Sequence, residues 1–256
     1  MRFDPVAVAS AAADAAGDVI RAHFRARIDV DTKADASPVT LADRGAEAAI
    51  RRVLDQHCPD HGVIGEEMGG QEGGRFTWVI DPIDGTRAFI TGRPVFATLI
   101  ALLEHGRPVL GLIDQPVLGE RWLAHEGALS FTGPHGGAPG TRAVASLAEA
   151  ELSCTSPDMF TEVQLGRFRR LAGACRRVTY GGDAYGYGLL ALGQIDVIAE
   201  ADLKPWDWSA LAPVIEAAGG AMTDWRGADL TLESDGTALA LGNPALLGDA
   251  VALLGG

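Results

Sequence analysis

Residues 78 to 86 read Trp78-Val79-Ile80-Asp81-Pro82-Ile83-Asp84-Gly85-Thr86. An apolar strand runs into Asp81, and a second acid follows three residues on. Pro82 fixes the backbone between them. Two carboxylates this close, at the end of a buried strand, repel one another and stay ionised only with a cation between them. The carbonyl of Ile83 points into the same corner and offers a third oxygen, and hard divalent cations take such oxygen sets. Gly85 lets the backbone come close to a ligand. Gly85 and Thr86 open a short helix whose free amides favour an anion. One turn thus joins a metal to a phosphate. The plainer alternative is an Asx-turn with solvated aspartates.

Other acids stand at comparable places. Gly65-Glu66-Glu67 follows a short apolar strand, where two acids are odd unless ligating; otherwise they mark an exposed turn. Trp206-Asp207 begins a helix, and Asp207 alone reads as its cap. Thr40-Leu41-Ala42-Asp43 gives an acid near a helix start, in the position of a capping box.

Around these stretches the pattern is α+β. Asp4-Pro5 opens a first helix, with Val6, Ala9, Ala13, Ala16, Ile20 and Phe24 at helical spacing. Its alanines point to a tight contact with a helix or a sheet. Residues 29 to 39, with Lys33 and Pro38, read as an exposed loop. A second helix follows Thr40, with Ala46, Ile50, Val53 and Leu54 inward, and ends before Pro59. Short strands at 63–64 and 78–80 lead into a hairpin, 96–103 and 109–113, around Glu104-His105-Gly106-Arg107. Strands at 121–124 and 128–131 extend the meander. The Gly/Pro-rich residues 132 to 141 mark a boundary or a long surface loop. Beyond them strands at 152–154, 178–180, 195–199, 221–223 and 238–241 alternate with helices at 162–171, 184–192 and 208–218 and one from Pro244. The expected parts are residues 1–140, α+β with most of the acids, and 141–256, α/β with Asp207.

Composition narrows the function classes. With 256 residues the chain buries a real core without disulfide staples. Its 47% apolar and 21% charged residues are ordinary globular values. A net charge of −13 disfavours nucleic acid and anionic membrane surfaces as partners. It leaves room for an anionic small substrate reached through metal ions. Cys58, Cys154 and Cys175 are dispersed and form no CxxC, which fits a reducing cytoplasm. No apolar run reaches the roughly 18 residues of a spanning helix. Asp4, Asp14 and Asp18 speak against reading the first apolar run as a signal peptide. The six histidines have no metal spacing, and GYGLLALG from Gly186 lacks the strand that a dinucleotide fingerprint needs. Trp206, Trp208 and Trp225 either wall the pocket or, by default, pack in the core.

GEE at 65–67, DPIDGT at 81–86 and WDWSALAPVIEAAGG at 206–220, in this order and spacing, resemble the inositol-monophosphatase superfamily of magnesium-dependent, lithium-sensitive phosphatases. The resemblance runs from about Lys33 to the C-terminus. It implies a five-layered αβαβα sandwich with the site between the two parts, and a homodimer. It makes Glu66, Asp81, Asp84, Asp207 and the Ile83 carbonyl ligands of two or three Mg²⁺ ions. Thr86 and Asp43 match the pair that orients and deprotonates the attacking water, which Glu66 helps to place. Gly85 and Thr86 match the amides that cradle the phosphate. Glu200 and the loop Gly182-Asp183-Ala184 match positions that meet the alcohol part of the substrate, beside Asp207. Asp183 departs from inositol phosphatases, which usually carry a small neutral residue there.

The stretches TKADASPVTLADRGAE (32–47), ITGRPVFATLIALL (90–103), DQPVLGERW (114–122) and AEADLKPWD (199–207) resemble one branch, the histidinol-phosphatases of the inositol-monophosphatase type. That implies a phosphomonoesterase acting on histidinol phosphate in histidine biosynthesis. Asp183 and Glu200 then have cations to meet, an ammonium and an imidazole; alternatively Asp183 caps the helix that begins at Ala184. The competing readings are an inositol-1-phosphatase, a broad sugar-phosphate phosphatase, or a catalytically idle binding protein on the same fold.

Overall fold

The computed structural model describes residues 3–26, 30–32 and 38–255. Its elements stack in five layers. The first holds α1 (Pro5–His23) and α2 (Leu41–His57). Asp4 accepts the amides of Val6 and Ala7, and the proline stands at the first helical position, so α1 starts where the sequence says it must. Ala9, Ala12, Ala13 and Ala16 are fully buried with Ala42 and Ala46 of α2. Such small side chains let helix axes approach closely.

The second layer is a seven-stranded sheet ordered β4-β3-β5-β6-β7-β8-β9. Its strands are β3 (Gly62–Gly65), β4 (Gly69–Gln71), β5 (Phe76–Asp84), β6 (Ala97–Glu104), β7 (Arg107–Gln115), β8 (Glu120–His125) and β9 (Ala128–Thr132). β3 and β5 run parallel; the other pairs are antiparallel. The β6–β7 turn has positive φ at both His105 and Gly106, the twist a two-residue hairpin demands.

The fourth layer is a five-stranded sheet ordered β11-β10-β12-β14-β13. It comprises β10 (Glu151–Cys154), β11 (Arg177–Tyr180), β12 (Val197–Glu200), β13 (Ala221–Thr223) and β14 (Ala238–Leu241). The third layer, between the sheets, consists of α5 (Asp183–Leu190) and α7 (Leu211–Ala217). Tyr187, Leu190, Leu211, Val214 and Ile215 bury there against Trp122 and Leu99 of one sheet and Ile198 and Ala240 of the other. The fifth layer is α4 (Glu162–Ala174) with α8 (Leu247–Leu254), packed through Phe168, Leu171, Ala250 and Leu254. The expected sandwich is therefore present. Trp208 and Trp225 are buried as core residues. Among the described residues no helix is long and apolar enough to cross a membrane.

Four elements differ from the sequence reading. The expected loop at 29–39 contains two short antiparallel strands, β1 (Val30–Thr32) and β2 (Pro38–Thr40), while Lys33 lies outside the described residues. β4, exposed and Gly-rich, has no period to read. β5 does not stop at Ile80; it continues through Pro82 to Asp84. The helix expected over 208–218 is two helices, α6 (Pro205–Trp208) and α7, with a break at Ser209-Ala210. Pro213 explains the break: it has no N–H for the Ser209 carbonyl, and its ring excludes a continuous helix through that turn.

Candidate active site

The site begins with a bulge. Along β5 and β6, Asp81 pairs with Leu99 but Asp84 with Ala97, so three steps on one strand face two on the other. Side chains alternate along a strand, so acids three residues apart point to opposite faces. The extra residue brings them to one side, and bulges commonly re-aim side chains in this way. Pro82 fits there because it has no N–H to offer the ladder. The Thr98 hydroxyl donates to the Pro82 carbonyl at 2.8 Å and fixes the kink. The Ile83 amide donates to Asp81 at 2.9 Å, so the Asx-turn of the plainer reading is also real. It occupies one carboxylate oxygen only.

The parallel register brings Glu66 alongside. Gly65 pairs with Ile80, and the Glu66 amide donates to the Ile80 carbonyl at 3.2 Å. Its carboxyl lies near enough to that of Asp81 to raise the Asp81 proton affinity. Asp207 arrives from the opposite side at the third position of α6. Its Oδ2 accepts the Lys204 amide at 2.7 Å, so it caps its helix with one oxygen and turns the other to the cluster. Asp81, Asp84 and Asp207 each place an oxygen so that all lie within 4.8 Å of one another.

This crowding raises the acids' affinity for protons. Burial, then the charges of Glu66, Asp84 and Asp207, push Asp81 well above the carboxylate range. Burial, then Asp207 and Asp183, does the same to Asp84. Asp207 is pushed up to about 7 by burial and by the charges of Glu66 and Glu200, against the Lys204 amide. Mutually repelling carboxylates with a nearby carbonyl form the oxygen set that a hard divalent cation neutralises. The residues therefore fit a metal.

Asp43 and Thr86 meet beside this cluster. α2 packs on β5, and the Thr86 hydroxyl lies 3.2 Å from Asp43 Oδ1 and 3.1 Å from the Ile83 carbonyl. Asp43 Oδ2 accepts both the amide and the hydroxyl of Thr40, at 2.8 and 2.6 Å. The capping box is thus present, and it leaves Oδ1 for Thr86. Burial raises the Asp43 carboxyl, partly offset by these hydrogen bonds. Gly85 follows at φ +86, where a Cβ would collide with Asp183, and Thr86 opens α3 (Thr86–Ile90).

The second sheet supplies the far wall. Asp183 does not cap α5: the Ala184 amide donates instead to Asp84 Oδ2 at 2.6 Å, across the interface between the halves. Asp183 adopts φ +43, and its amide donates to the Thr155 hydroxyl at 3.1 Å. Burial and the Glu200 charge push its carboxyl up to about 6, against Arg93 and Arg87. Glu200 is buried with both oxygens engaged, by the Thr155 amide at 2.6 Å and the Tyr187 hydroxyl at 2.9 Å. An enclosed space of about 80 Å³ lies between Asp84, Asp183, Glu200 and Asp207. It adjoins an open cleft of about 390 Å³ reaching Glu66, Thr86, Arg87 and Asp202. A roomier, mostly apolar cavity of about 650 Å³ near Phe76 and Pro213 holds none of these groups.

Every residue nominated from sequence thus lies in or beside one cleft. Thr155 was missed, although it holds both Asp183 and Glu200. The available signal was its place just after β10, since ligands gather at the C-terminal ends of parallel strands.

The model of the inositol monophosphatase family matches residues 4–253. The histidinol-phosphatase of Mycobacterium tuberculosis is 41% identical over 235 residues, covering 89% of this chain and 90% of that protein. The bifunctional phosphatase IMPL2 of Arabidopsis thaliana is 47% identical over 237 residues, covering 91% of this chain and 68% of that protein. A solved inositol monophosphatase from Zymomonas mobilis superposes with a TM-score of 0.88 at 45% identity, covering 98% of this chain and 97% of that one.

Proposed function

The chain belongs to the inositol monophosphatase family and is a phosphoric monoester hydrolase, and from that premise we propose that it hydrolyses histidinol phosphate to histidinol and phosphate with Mg²⁺. The observation that carries the substrate is the acidic far wall. A neutral polyol offers no cation to Asp183 and Glu200, whereas histidinol phosphate carries an ammonium and an imidazole. Asp183 is held in the left-handed region, a conformation that costs on the order of 1 kcal/mol for a residue with a side chain and that clusters at functional sites. The histidinol-phosphatase relatives support the same substrate.

Glu66, Asp81, Asp84, Asp207 and the Ile83 carbonyl would hold Mg²⁺. When bound, the metal neutralises the phosphate, acidifies a water and stabilises the departing oxygen. The chain's own groups do the rest. The Thr86 hydroxyl takes a proton from the attacking water and passes its own to Asp43 Oδ1, while Thr40 keeps Asp43 oriented. Water oxygen bonds to phosphorus as the ester P–O bond breaks, and the departing oxygen takes a proton from solvent water to leave as the alcohol. The amides of Gly85 and Thr86 face the phosphoryl oxygens as fixed dipoles. Asp183 meets the ammonium directly. Glu200, tied by Thr155 and Tyr187, adds negative charge to the floor.

The test compares kcat/KM for histidinol phosphate, inositol 1-phosphate and a 3′,5′-bisphosphonucleotide, each with and without Mg²⁺. Histidinol phosphate is expected to lead and to require the metal. A wild-type preference for inositol 1-phosphate defeats the substrate assignment and leaves the phosphatase standing.

A further inference from the structure

We infer that Glu47 is a positioning residue for cation binding: from α2 it clamps the turn that presents Glu66. Its side chain is fully buried, yet its partners are not core groups. Oε2 accepts the Glu67 amide at 2.8 Å, and Oε1 accepts the Met68 amide at 3.2 Å. Arg51, one helical turn on, donates from Nε to Oε1 at 2.8 Å and also donates to the Gly69 carbonyl. The three residues after Glu66 are therefore tied to one turn of α2. The residue before it is Gly65, where a Cβ would collide with the Glu47 carboxylate, so the approach is as close as the backbone permits. On the other side the Glu66 amide is fixed to Ile80.

Glu66 thus leaves the chain between two anchors, one on β5 and one on α2. Asp43 lies one turn before Glu47 on the same helix, and residues four apart share a face. One face of α2 therefore holds both the group beside Thr86 and the clamp behind Glu66. A ligand fixed before the cation arrives loses less freedom on binding, and partners behind a ligand commonly matter about 10–100-fold in metal affinity.

This inference rests on the reading that Glu66 is a metal ligand, and the test separates the two. Glu47→Gln keeps the shape, but its NH₂ cannot accept, so one of the two turn amides loses its acceptor. Calorimetric titration with Mg²⁺ is expected to show affinity weakened about tenfold. The Mg²⁺ concentration for half-maximal turnover should shift in parallel, while kcat at saturating Mg²⁺ stays close to wild type. Ile50→Val, in the core on the same helix, should lower Tm and leave Mg²⁺ affinity unchanged. Should Glu47→Gln fail to fold, Arg51→Gln decides; it releases the Gly69 carbonyl and one Glu47 oxygen and should give a smaller shift in the same direction. Glu66→Gln is the reference. If it leaves Mg²⁺ affinity unchanged, the ligand reading falls and this inference with it. If Glu66→Gln weakens binding while Glu47→Gln and Arg51→Gln do not, or if Ile50→Val weakens it as much, Glu47 is a structural residue and the inference alone is overturned.

Discussion

The acids of the half built on the seven-stranded sheet and Asp183 of the half built on the five-stranded sheet are held in different ways. Asp43, Asp81 and Glu47 each have their carboxylate seated by amides or hydroxyls of their own half: Thr40, Ile83, and the Glu67–Met68 turn. Glu200 is seated in the same manner, by the Thr155 amide and the Tyr187 hydroxyl, whereas Asp183 is anchored through its backbone amide to Thr155 at φ +43, with its carboxyl lining the cleft. Asp84 belongs to both, since it lies in the cluster and its Oδ2 accepts the Ala184 amide, the second of α5. On the proposed reading, the first half does one thing to any phosphate ester, and the second half sets the preference through single side chains. Substitutions in the first should harm every substrate alike, and those in the second should discriminate.

The contrast is tested most severely at Asp43. Asp43→Asn is expected to retain the fold and Mg²⁺ binding but to lose kcat by about 10²–10⁴-fold, the usual cost of removing a general base. The loss should be equal for histidinol phosphate and glycerol 2-phosphate. Near-normal turnover removes Asp43 from the mechanism, and unequal losses blur the division of labour.

A second test concerns the metal-free cluster. Asp207 is raised from 3.8 to about 7, and Asp81 and Asp84 are raised too. Between those limits the folded chain holds more protons than the unfolded one, so its stability is fully present at low pH and declines as pH rises. Without metal, Tm should fall from about pH 4 to about pH 7, and saturating Mg²⁺ should abolish the decline. A flat metal-free profile means the acids are not packed together as described.

Asp183→Asn addresses the other half. A charge-assisted hydrogen bond contributes roughly 1.5–3 kcal/mol, about one to two decades in kcat/KM. That loss is expected with histidinol phosphate and little of it with glycerol 2-phosphate. Equal losses on both substrates would mean that Asp183 supports the loop rather than the ligand.

The smallest effect is expected at Arg93, which donates to the Gly181 carbonyl at 3.2 Å and lowers Asp183 by its charge. Arg93→Gln should reduce kcat/KM for histidinol phosphate about two- to tenfold, the scale of one exposed hydrogen bond of roughly 0.5–1.5 kcal/mol. Mg²⁺ affinity should be unchanged. A shift in Mg²⁺ affinity would show that the two halves are coupled through this loop.

Elements whose signals are local can be read from the chain alone. Asp4-Pro5 and the Thr40–Asp43 box start their helices because a cap needs only neighbours a few residues away. The His105-Gly106 turn sets its hairpin for the same reason. DPIDGT announced paired acids and a close backbone approach. How Asp81 and Asp84 come to share a side depends on strand pairing, because the bulge exists in relation to β6 and has no counterpart within β5 alone. The helix break before Pro213 is legible in principle, since a proline there cannot serve the Ser209 carbonyl. The place of Thr155 after β10 marks it as near a ligand, but what Thr155 and Glu47 hold is not legible, since their partners lie 20 to 45 residues away along the chain. A buried carboxylate can be counted from sequence, but its place is fixed by the amides it satisfies, and the fold alone brings those within reach.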